Sequence, residues 1–258
     1  MKKKSIGFWG SLALCFLVLA CSNSEVKTIK PLKQAVATKE KPLVPAALSP
    51  KQDSLVLDLV ALEDVIPEIH TDLKYASSDN FMQQKLYVLW NKAYVQKPIA
   101  ERLKKAQKRL QELKPNLCLL VYDAARPVSV QRNMWLALDS IPPRERGKFV
   151  SSPYNKSIHN YGCAVDLTIC DKQGVPLDMG AGFDDIRKIA YPSMENYYLS
   201  TGEITREQVA NRKLLRSVMR FAGFTGLGTE WWHFNGCSKQ YAQQHFKVIE
   251  REEDAINK

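Results

Sequence analysis

The chain has 258 residues, of which 45% are hydrophobic, so it can bury the core of one large domain or of two small ones. Its formal net charge is +10, and nine lysines against three acidic residues in positions 1–53 account for +6 of that excess. The rest of the chain has no dense basic run with interleaved aromatic residues. Composition therefore argues against a nucleic-acid-binding protein.

The first 20 residues have the pattern of an export signal. Lysines at positions 2–4 precede an apolar stretch, residues 6–20, which is too short to favour a membrane span. The stretch ends at Ala20 and Cys21, as in bacterial lipoprotein signals, so residues 1–20 are predicted to be a signal peptide and Cys21 the lipidated first residue. A signal peptide cleaved elsewhere is the alternative. A lipid anchor on Cys21 would hold the protein at the periplasmic face of a bacterial membrane, the outer membrane included.

Residues 21–53 are predicted to form a spacer between this anchor and one domain, residues 54–258. The spacer is rich in Lys, Pro and Ala and lacks hydrophobic periodicity, which is typical of a semi-flexible linker. The domain contains four cysteines, which allow three complete disulfide pairings in an oxidising compartment. Buried free thiols are the alternative for these residues, Cys118, Cys163, Cys170 and Cys237.

Hydrophobic periodicity predicts helices alternating irregularly with short strands in the domain. In chain order, these are a helix over 98–113, a strand over 117–122, a helix over 127–138, a strand over 165–169, a helix over 205–222 and a strand over 231–235. Thr205 and Gln208 form a candidate capping box, and Gly223 suits the end of that helix. Helices mixed with short strands, without regular βαβ alternation, indicate an α+β fold.

A turn between the first predicted strand and the second helix contains a candidate catalytic arginine. The segment LLVYDAARPVSVQ puts Asp123 and Arg126 just beyond a buried strand, with Pro127 at the start of the following helix. An arginine held at this boundary could stabilise the oxyanion of a tetrahedral intermediate. The alternative is a surface arginine. Asp123 is expected to orient the turn or to cap the helix rather than to act directly in catalysis.

The segment SIHNYGCAVDLTI combines a histidine and an aspartate around a turn. Asp166 shares its predicted strand face with small or polar residues, while the opposite face is bulky and apolar. His159 lies seven residues earlier, and an unbroken strand would send it to the other face. Because Asn160 and Gly162 permit a turn, His159 can return towards Asp166 and supply one nitrogen and one oxygen ligand to a metal.

A third ligand is expected from another histidine. The segment GTEWWHFNG contains His233 with Glu230 three residues before it, which makes His233 the best choice. His245 has the setting of a surface residue, and His70 has no local partner pattern. Two histidines, one aspartate and a water would form a tetrahedral zinc site that lowers the pKa of the water to roughly 7. An aromatic core with a hydrogen-bonded histidine is the alternative.

Glu230 fits the role of a carboxylate that is not a ligand and that moves the proton of the attacking water to the leaving amine. A regular strand would place Glu230 and His233 on opposite faces. Glu230 is therefore expected in the loop before the strand, or at an irregularity, so that both side chains can face one site.

These segments together resemble the zinc D-alanyl-D-alanine dipeptidases, the vancomycin-resistance type within the D-Ala-D-Ala metallopeptidases. SIHNYGCAVDLTI is similar to the family pattern Ser-x-His-x-x-Gly-x-Ala-x-Asp-Leu-Thr, EWWHF to its Glu-x-x-His segment, and DAARP to its Asp-x-x-Arg-Pro turn. DLKYASSDNF and MGAGFDD are also similar to family segments. The resemblance covers most of residues 55–250. The chain departs from the family at Ala124, Ala125 and Cys163, which concerns the shape of the pocket more than its chemistry.

The resemblance implies a small, mostly antiparallel sheet flanked by helices, with the zinc site at the sheet, as in the Hedgehog-like fold. It implies one zinc ion per chain, and it assigns a role to each matching residue. The ligands are His159, Asp166 and His233, the general acid/base is Glu230, the transition-state residue is Arg126, and the substrate-binding residues are Ser157, Asp184 and Tyr75.

Three functional hypotheses follow. The first is a zinc dipeptidase of the bacterial cell envelope, acting on D-Ala-D-Ala or a related small dipeptide. The second is a D,D-carboxypeptidase acting on peptidoglycan stem peptides. The third is a non-catalytic, zinc-containing, wall-binding lipoprotein, which the presence of both Glu230 and Arg126 disfavours because binding alone requires neither.

Overall fold

The computed structural model describes residues 55–147 and 149–255, which all belong to one compact unit. The predicted signal peptide, lipidation site and spacer lie outside the described residues. Within the described part of the chain, no helix has the length and apolar character needed to cross a membrane. The strands are β1 Leu59–Ala61, β2 His70–Thr71, β3 Tyr94–Gln96, β4 Leu117–Asp123, β5 Ala164–Asp171, β6 Thr225–Gly226 and β7 His233–Asn235.

The helices surround these strands. They are α1 Leu62–Val65, α2 Lys97–Leu113, α3 Val128–Ala137, α4 Pro143–Arg146, α5 Glu195–Thr201, α6 Arg206–Phe221 and α7 Lys239–His245. Short 3-10 helices occur at Lys74–Ala76, Ile158–Tyr161, Lys188–Ala190, Pro192–Met194 and Glu252–Ala255.

A five-stranded sheet in the order β2-β4-β5-β7-β6 forms the centre of the fold. Strand β2 pairs with β4 in parallel, and the other three pairings in this sheet are antiparallel. Strands β1 and β3 form a separate antiparallel pair. The α+β prediction, with a small and mostly antiparallel sheet flanked by helices, is confirmed.

Helices α2 and α6 pack against each other and against one side of the sheet. Their buried residues recur at helical spacing and join the strand residues in one core, including Leu103 and Leu110 from α2 and Leu215 and Val218 from α6. The predicted capping box is present, since Gln208 N donates to Thr205 Oγ1 at 3.1 Å and Thr205 N donates to Gln208 Oε1 at 2.7 Å. This cap fixes where α6 begins.

The predicted boundaries lie within two residues of the observed ones, and two of the differences have a visible cause. The aromatic strand was expected over 231–235, but β7 begins at His233, because Trp231 and Trp232 follow a loop that buries both rings in the core. Helix α3 begins after Pro127, whose ψ of 148° is extended and therefore places it at the cap position. The cysteines of the described residues are free; three are buried and Cys237 is partly buried.

Candidate active site

Three neighbouring strands bring the first functional residues together. Asp166 in β5 lies directly opposite His233 in β7, and it also pairs with Asp123 at the end of β4. Residues directly opposed in an antiparallel pair have Cβ atoms about 4.5–5.5 Å apart, so pairing alone brings Asp166 and His233 within reach of one ion. A register shift between Val121 and Asp123 lets Asp123 face the same point.

His159 reaches this point from a 3-10 helix, Ile158–Tyr161, which precedes β5. Ser157 begins the turn by accepting a hydrogen bond from His159 N at 3.1 Å. Gly162 ends it in the left-handed region, with φ of 66°, and a Cβ there would lie 2.9 Å from Leu59 Cδ2. Glycine is needed at this position both for its conformation and for lack of space. The predicted return of His159 towards Asp166 is therefore what the structure shows.

Hydrogen bonds orient both imidazole rings. His159 Nδ1 lies 2.6 Å from the carbonyl oxygen of Ala124, and His233 Nε2 lies 2.9 Å from Asn235 Oδ1. Both contacts favour the tautomer that carries its N–H on the nitrogen facing the oxygen, and in that tautomer the other nitrogen keeps its lone pair. Partners of this kind fix the tautomer of metal-binding histidines. His159 Nε2 and His233 Nδ1 are the nitrogens that remain for a metal.

The three candidate ligand atoms have the spacing of a metal site. His159 Nε2 lies 3.2 Å from His233 Nδ1, Asp166 Oδ1 lies 2.9 Å from His233 Nδ1, and Asp166 Oδ2 lies 3.5 Å from His159 Nε2. Ligands bound at about 2.0–2.1 Å in a tetrahedron stand roughly 3.3 Å apart, so these residues fit a zinc ion. All three residues are buried, and two nitrogen lone pairs so close together favour a cation between them.

The carboxyl group of Asp166 is suited to bind a cation. Burial opposes its ionisation, but His159 and His233 outweigh this and hold the pKa of Asp166 well below its ordinary value. Asp166 is therefore a carboxylate at neutral pH, as a metal ligand must be.

Glu230 lies beside the three residues without joining their ligand set. It occupies the loop between β6 and β7, as expected, and its Oε2 lies 3.9 Å from His233 Nδ1. Burial raises the pKa of Glu230 above its ordinary value. A partly buried carboxylate with a raised pKa, next to a candidate metal site, has the properties of a proton carrier.

Arg126 is buried next to Asp166. Its Nε donates to Asp123 Oδ2 at 2.8 Å, and its Nη2 lies 3.4 Å from Asp166 Oδ2. Asp123 is in turn held by Tyr87, whose hydroxyl donates to Asp123 Oδ1 at 2.6 Å. Asp123 thus orients the arginine. Among the described residues Nη1 of Arg126 has no hydrogen-bond partner, and Arg126 lines the pocket over the site.

A pocket of about 530 Å³ opens over this centre and contains the predicted substrate-binding residues, Ser157, Asp184 and Tyr75. The hydroxyl of Tyr75 donates to Asp184 Oδ2 at 2.8 Å, although the two residues are 109 positions apart. Burial raises the pKa of Asp184 to about 8, and the hydrogen bond from Tyr75 partly opposes that rise. Asp184 has a φ of 60°, a left-handed conformation that is uncommon for a residue with a side chain.

Sequence reasoning missed two residues of the site. Tyr87, which holds Asp123, lies in a segment without periodicity and gave no signal. Asn235 lies two residues after His233, and strand alternation could have placed it on the same face. The two remaining histidines take no part in this centre, because His245 is exposed on α7 and His70 belongs to the edge strand β2.

The chain is similar to proteins of known family. The family model described as D-Ala-D-Ala dipeptidase, peptidase M15, matches residues 56–251. A D-alanyl-D-alanine dipeptidase of Escherichia coli is 33% identical over 177 residues, which cover 69% of this chain and 83% of the relative. One from Enterococcus faecium is 29% identical over 200 residues, covering 72% and 94% of the two chains. The solved LD-carboxypeptidase LdcB has 17% identity and a TM-score of 0.42, covering 73% and 72%.

The family model spans nearly all of the described residues, and it includes every residue of the centre and of the pocket discussed above. The chain therefore belongs to the D-Ala-D-Ala dipeptidase family, peptidase M15, and is a hydrolase of the metallopeptidase type.

Proposed function

We propose that the chain is a zinc dipeptidase that hydrolyses D-Ala-D-Ala, or a closely related small dipeptide, in the bacterial cell envelope. The observation that carries this proposal is that one pocket contains three residues whose ligand atoms could hold a metal ion, together with two further carboxyl groups. The three residues are His159, Asp166 and His233, and the carboxyl groups belong to Glu230 and Asp184. The names of the relatives support the choice of substrate.

One zinc ion per chain would be held by His159 Nε2, a carboxylate oxygen of Asp166 and His233 Nδ1. Three protein ligands of these types leave one position open, which is the arrangement of catalytic rather than structural zinc. When bound, zinc acts as a Lewis acid that polarises the scissile carbonyl and lowers the pKa of a water molecule.

Two residues would act on the reacting groups. Glu230 would take the proton of the attacking water and pass it to the leaving amine, because it is close to the ligand set but is free of it. Arg126 would donate from its guanidinium to the oxyanion that develops on the scissile carbonyl. Since Asp123 and Tyr87 already fix Arg126, little reorganisation is needed when that charge forms.

The amino end of the substrate would lie at Asp184 and Tyr75. A dipeptide has a free ammonium next to its scissile bond, whereas a stem peptide has a neutral amide there. Burial also raises the pKa of Tyr75 well above its ordinary value, so its hydroxyl stays protonated and keeps donating to Asp184. Ser157 lines the same pocket and would supply a further hydrogen bond.

Replacing Arg126 with alanine is expected to lower kcat by about 10²–10³ while zinc content is unchanged, because one oxyanion donor is lost. Activity on D-Ala-D-Ala and metal analysis of the same preparation measure the two effects. Arg109→Ala is the matched control, since Arg109 lies on α2 outside the pocket and contacts Glu112 and the ring of Phe221. A kcat near that of the parent in Arg126→Ala would reject the proposed role.

N-acetylated D-Ala-D-Ala is expected to be a poor substrate, since it presents Asp184 with an amide in place of an ammonium. Asp184 is only half-buried, so the loss in kcat/KM should be roughly 10- to 30-fold, below the cost of breaking a fully buried pair. Asp184→Asn should remove this discrimination.

Because the pKa of Asp184 is raised to about 8 and the ionised form binds the ammonium, KM for the free dipeptide should fall as pH rises towards 8.

Asp185→Asn is the matched control for Asp184, because the neighbouring carboxylate already pairs with Arg187 at 2.6 Å. It should keep both the discrimination and the pH dependence of KM. Equal kcat/KM for the free and the acetylated dipeptide in the parent protein would instead favour a D,D-carboxypeptidase that acts on peptidoglycan stem peptides.

Location in the envelope rests on the sequence of the first 21 residues. If Cys21 receives the lipid anchor, Cys21→Ser is expected to abolish acylation and to release active protein from the membrane fraction. Metabolic labelling with a fatty acid, together with fractionation, measures both effects. Cys237→Ser is a control that should leave labelling intact. Labelling that persists in Cys21→Ser would contradict the anchor.

A further inference from the structure

The loop that carries Asp184, residues 178–190, is attached to helix α6 at both of its ends; we call it the substrate loop. Near its start, Asn211 Nδ2 donates to the carbonyl oxygen of Asp178 at 2.9 Å, and Gln208 Nε2 donates to Asp178 Oδ2 at 2.7 Å. Gly180 follows with φ of 74° and packs so closely that a Cβ would lie 2.8 Å from Gln208 Oε1. The helix therefore determines where the loop leaves the core.

One side chain of α6 joins the two ends directly. Arg212 is completely buried, and its Nε donates to the carbonyl oxygen of Met179 at 2.6 Å while its Nη1 donates to the carbonyl oxygen of Ile189 at 3.0 Å. Its nearest carboxylate, Glu195, is 3.8 Å from Nη1 and makes its short contacts, both of 2.7 Å, with Arg216 instead. The main hydrogen-bond acceptors of this buried guanidinium are thus backbone carbonyls of the substrate loop.

The middle of the loop has an uncommon backbone conformation and packs against residues of the pocket. Asp184 lies halfway between the two bonded carbonyls and has a left-handed backbone, a conformation that is unfavourable for residues with a Cβ. Such a conformation persists where the surrounding structure fixes it. Next to Asp184, Phe183 packs against Tyr75 and Trp232, and Ala181 accepts a hydrogen bond from Trp231 Nε1 at 3.1 Å.

We propose that Arg212 is a positioning residue for substrate specificity: by bridging Met179 and Ile189 it holds the substrate loop so that Asp184 meets the substrate ammonium. The expected effect on KM and on substrate preference rests on the proposed function, whereas the bridge from Arg212 to the substrate loop does not. A guanidinium suits this task because its planar group of donors reaches two acceptors in fixed directions, which a lysine ammonium does not.

Arg212→Lys tests the bridge, because it keeps the positive charge and removes the fixed pair of donors. KM for D-Ala-D-Ala is expected to rise at least about tenfold while kcat changes by less than about threefold, since the loop positions substrate and does not reach the metal centre. The preference for free over N-acetylated dipeptide should fall by a similar factor. A general loss of stability would lower kcat and soluble yield instead, and would leave that preference unchanged.

Limited trypsin digestion measures how easily the substrate loop opens, and it requires no dipeptide substrate. Arg187 and Lys188 are exposed within the substrate loop, so cleavage after them should be about tenfold faster in Arg212→Lys than in the parent, because local opening is easier. Asn211→Ala removes a hydrogen bond near the start of the same loop and should also make the cleavage faster. Arg216→Lys, on the same helix and bonded to Glu195, is the control for both assays.

Each outcome decides one part of the proposal. Unchanged trypsin cleavage in both Arg212→Lys and Asn211→Ala would overturn the bridge itself. Faster cleavage with unchanged KM and unchanged discrimination would show that the bridge does not position Asp184. A parent protein that cleaves neither dipeptide would refute the proposed function, and the digestion of the variants would still decide whether Arg212 holds the loop.

Discussion

Replacing His233 with alanine is expected to reduce bound zinc from about one ion per chain to well below about 0.1, and to abolish measurable turnover, because three protein ligands leave no redundancy. His159→Ala should behave in the same way. His159 Nε2 and His233 Nδ1 are 3.2 Å apart, and a contact at the opposite nitrogen of each ring orients it. Each histidine therefore supplies its own ligand atom to the centre. Metal analysis after dialysis measures the loss.

His245→Ala is the matched control for both ligands, since His245 is exposed on α7 and stacks on Tyr241 away from the centre. It should retain zinc and activity. Treating the parent protein with a chelator should remove activity, and added zinc should restore it. Stoichiometric zinc in the His233→Ala protein would mean that the metal is bound elsewhere.

Glu230→Gln is expected to keep about one zinc ion per chain and to lose roughly 10²–10⁴ in kcat, the usual contribution of a positioned general acid/base. Glutamine has nearly the same shape, so folding and the metal centre should be unaffected, while the proton can no longer be carried. Burial raises the pKa of Glu230, so in the parent the acid limb of kcat should lie at a higher pH than an exposed glutamate would give.

Measuring kcat together with zinc content separates loss of proton transfer from loss of metal. Glu207→Gln provides a control on the exposed first turn of α6, where no role in turnover is expected. If Glu230→Gln turned over D-Ala-D-Ala at nearly the parent rate, another group would have to carry the proton.

Much of this protein could be predicted from local patterns in the sequence. Burial on one face leaves a period of three to four residues in a helix, so α2 and α6 were predicted within one or two residues of their ends. Helix and strand content together indicated the α+β class, which the sheet confirms. His159 and Asp166 could be paired in advance because a turn with a glycine between them is a local feature.

Only the tertiary structure decided which distant residues meet. Strand alternation shows the face of a side chain but not its partner strand, so the placement of His233 opposite Asp166 depends on the pairing of β5 with β7. The hydrogen bond from Tyr75 to Asp184 joins residues 109 positions apart in the sequence, and the hydrogen bond from Tyr87 to Asp123 joins residues 36 positions apart. Arg212 has the pattern of an ordinary helix residue in the sequence. Its two hydrogen bonds to the substrate loop exist because the packing of α6 against the core buries its guanidinium next to the carbonyl groups of Met179 and Ile189.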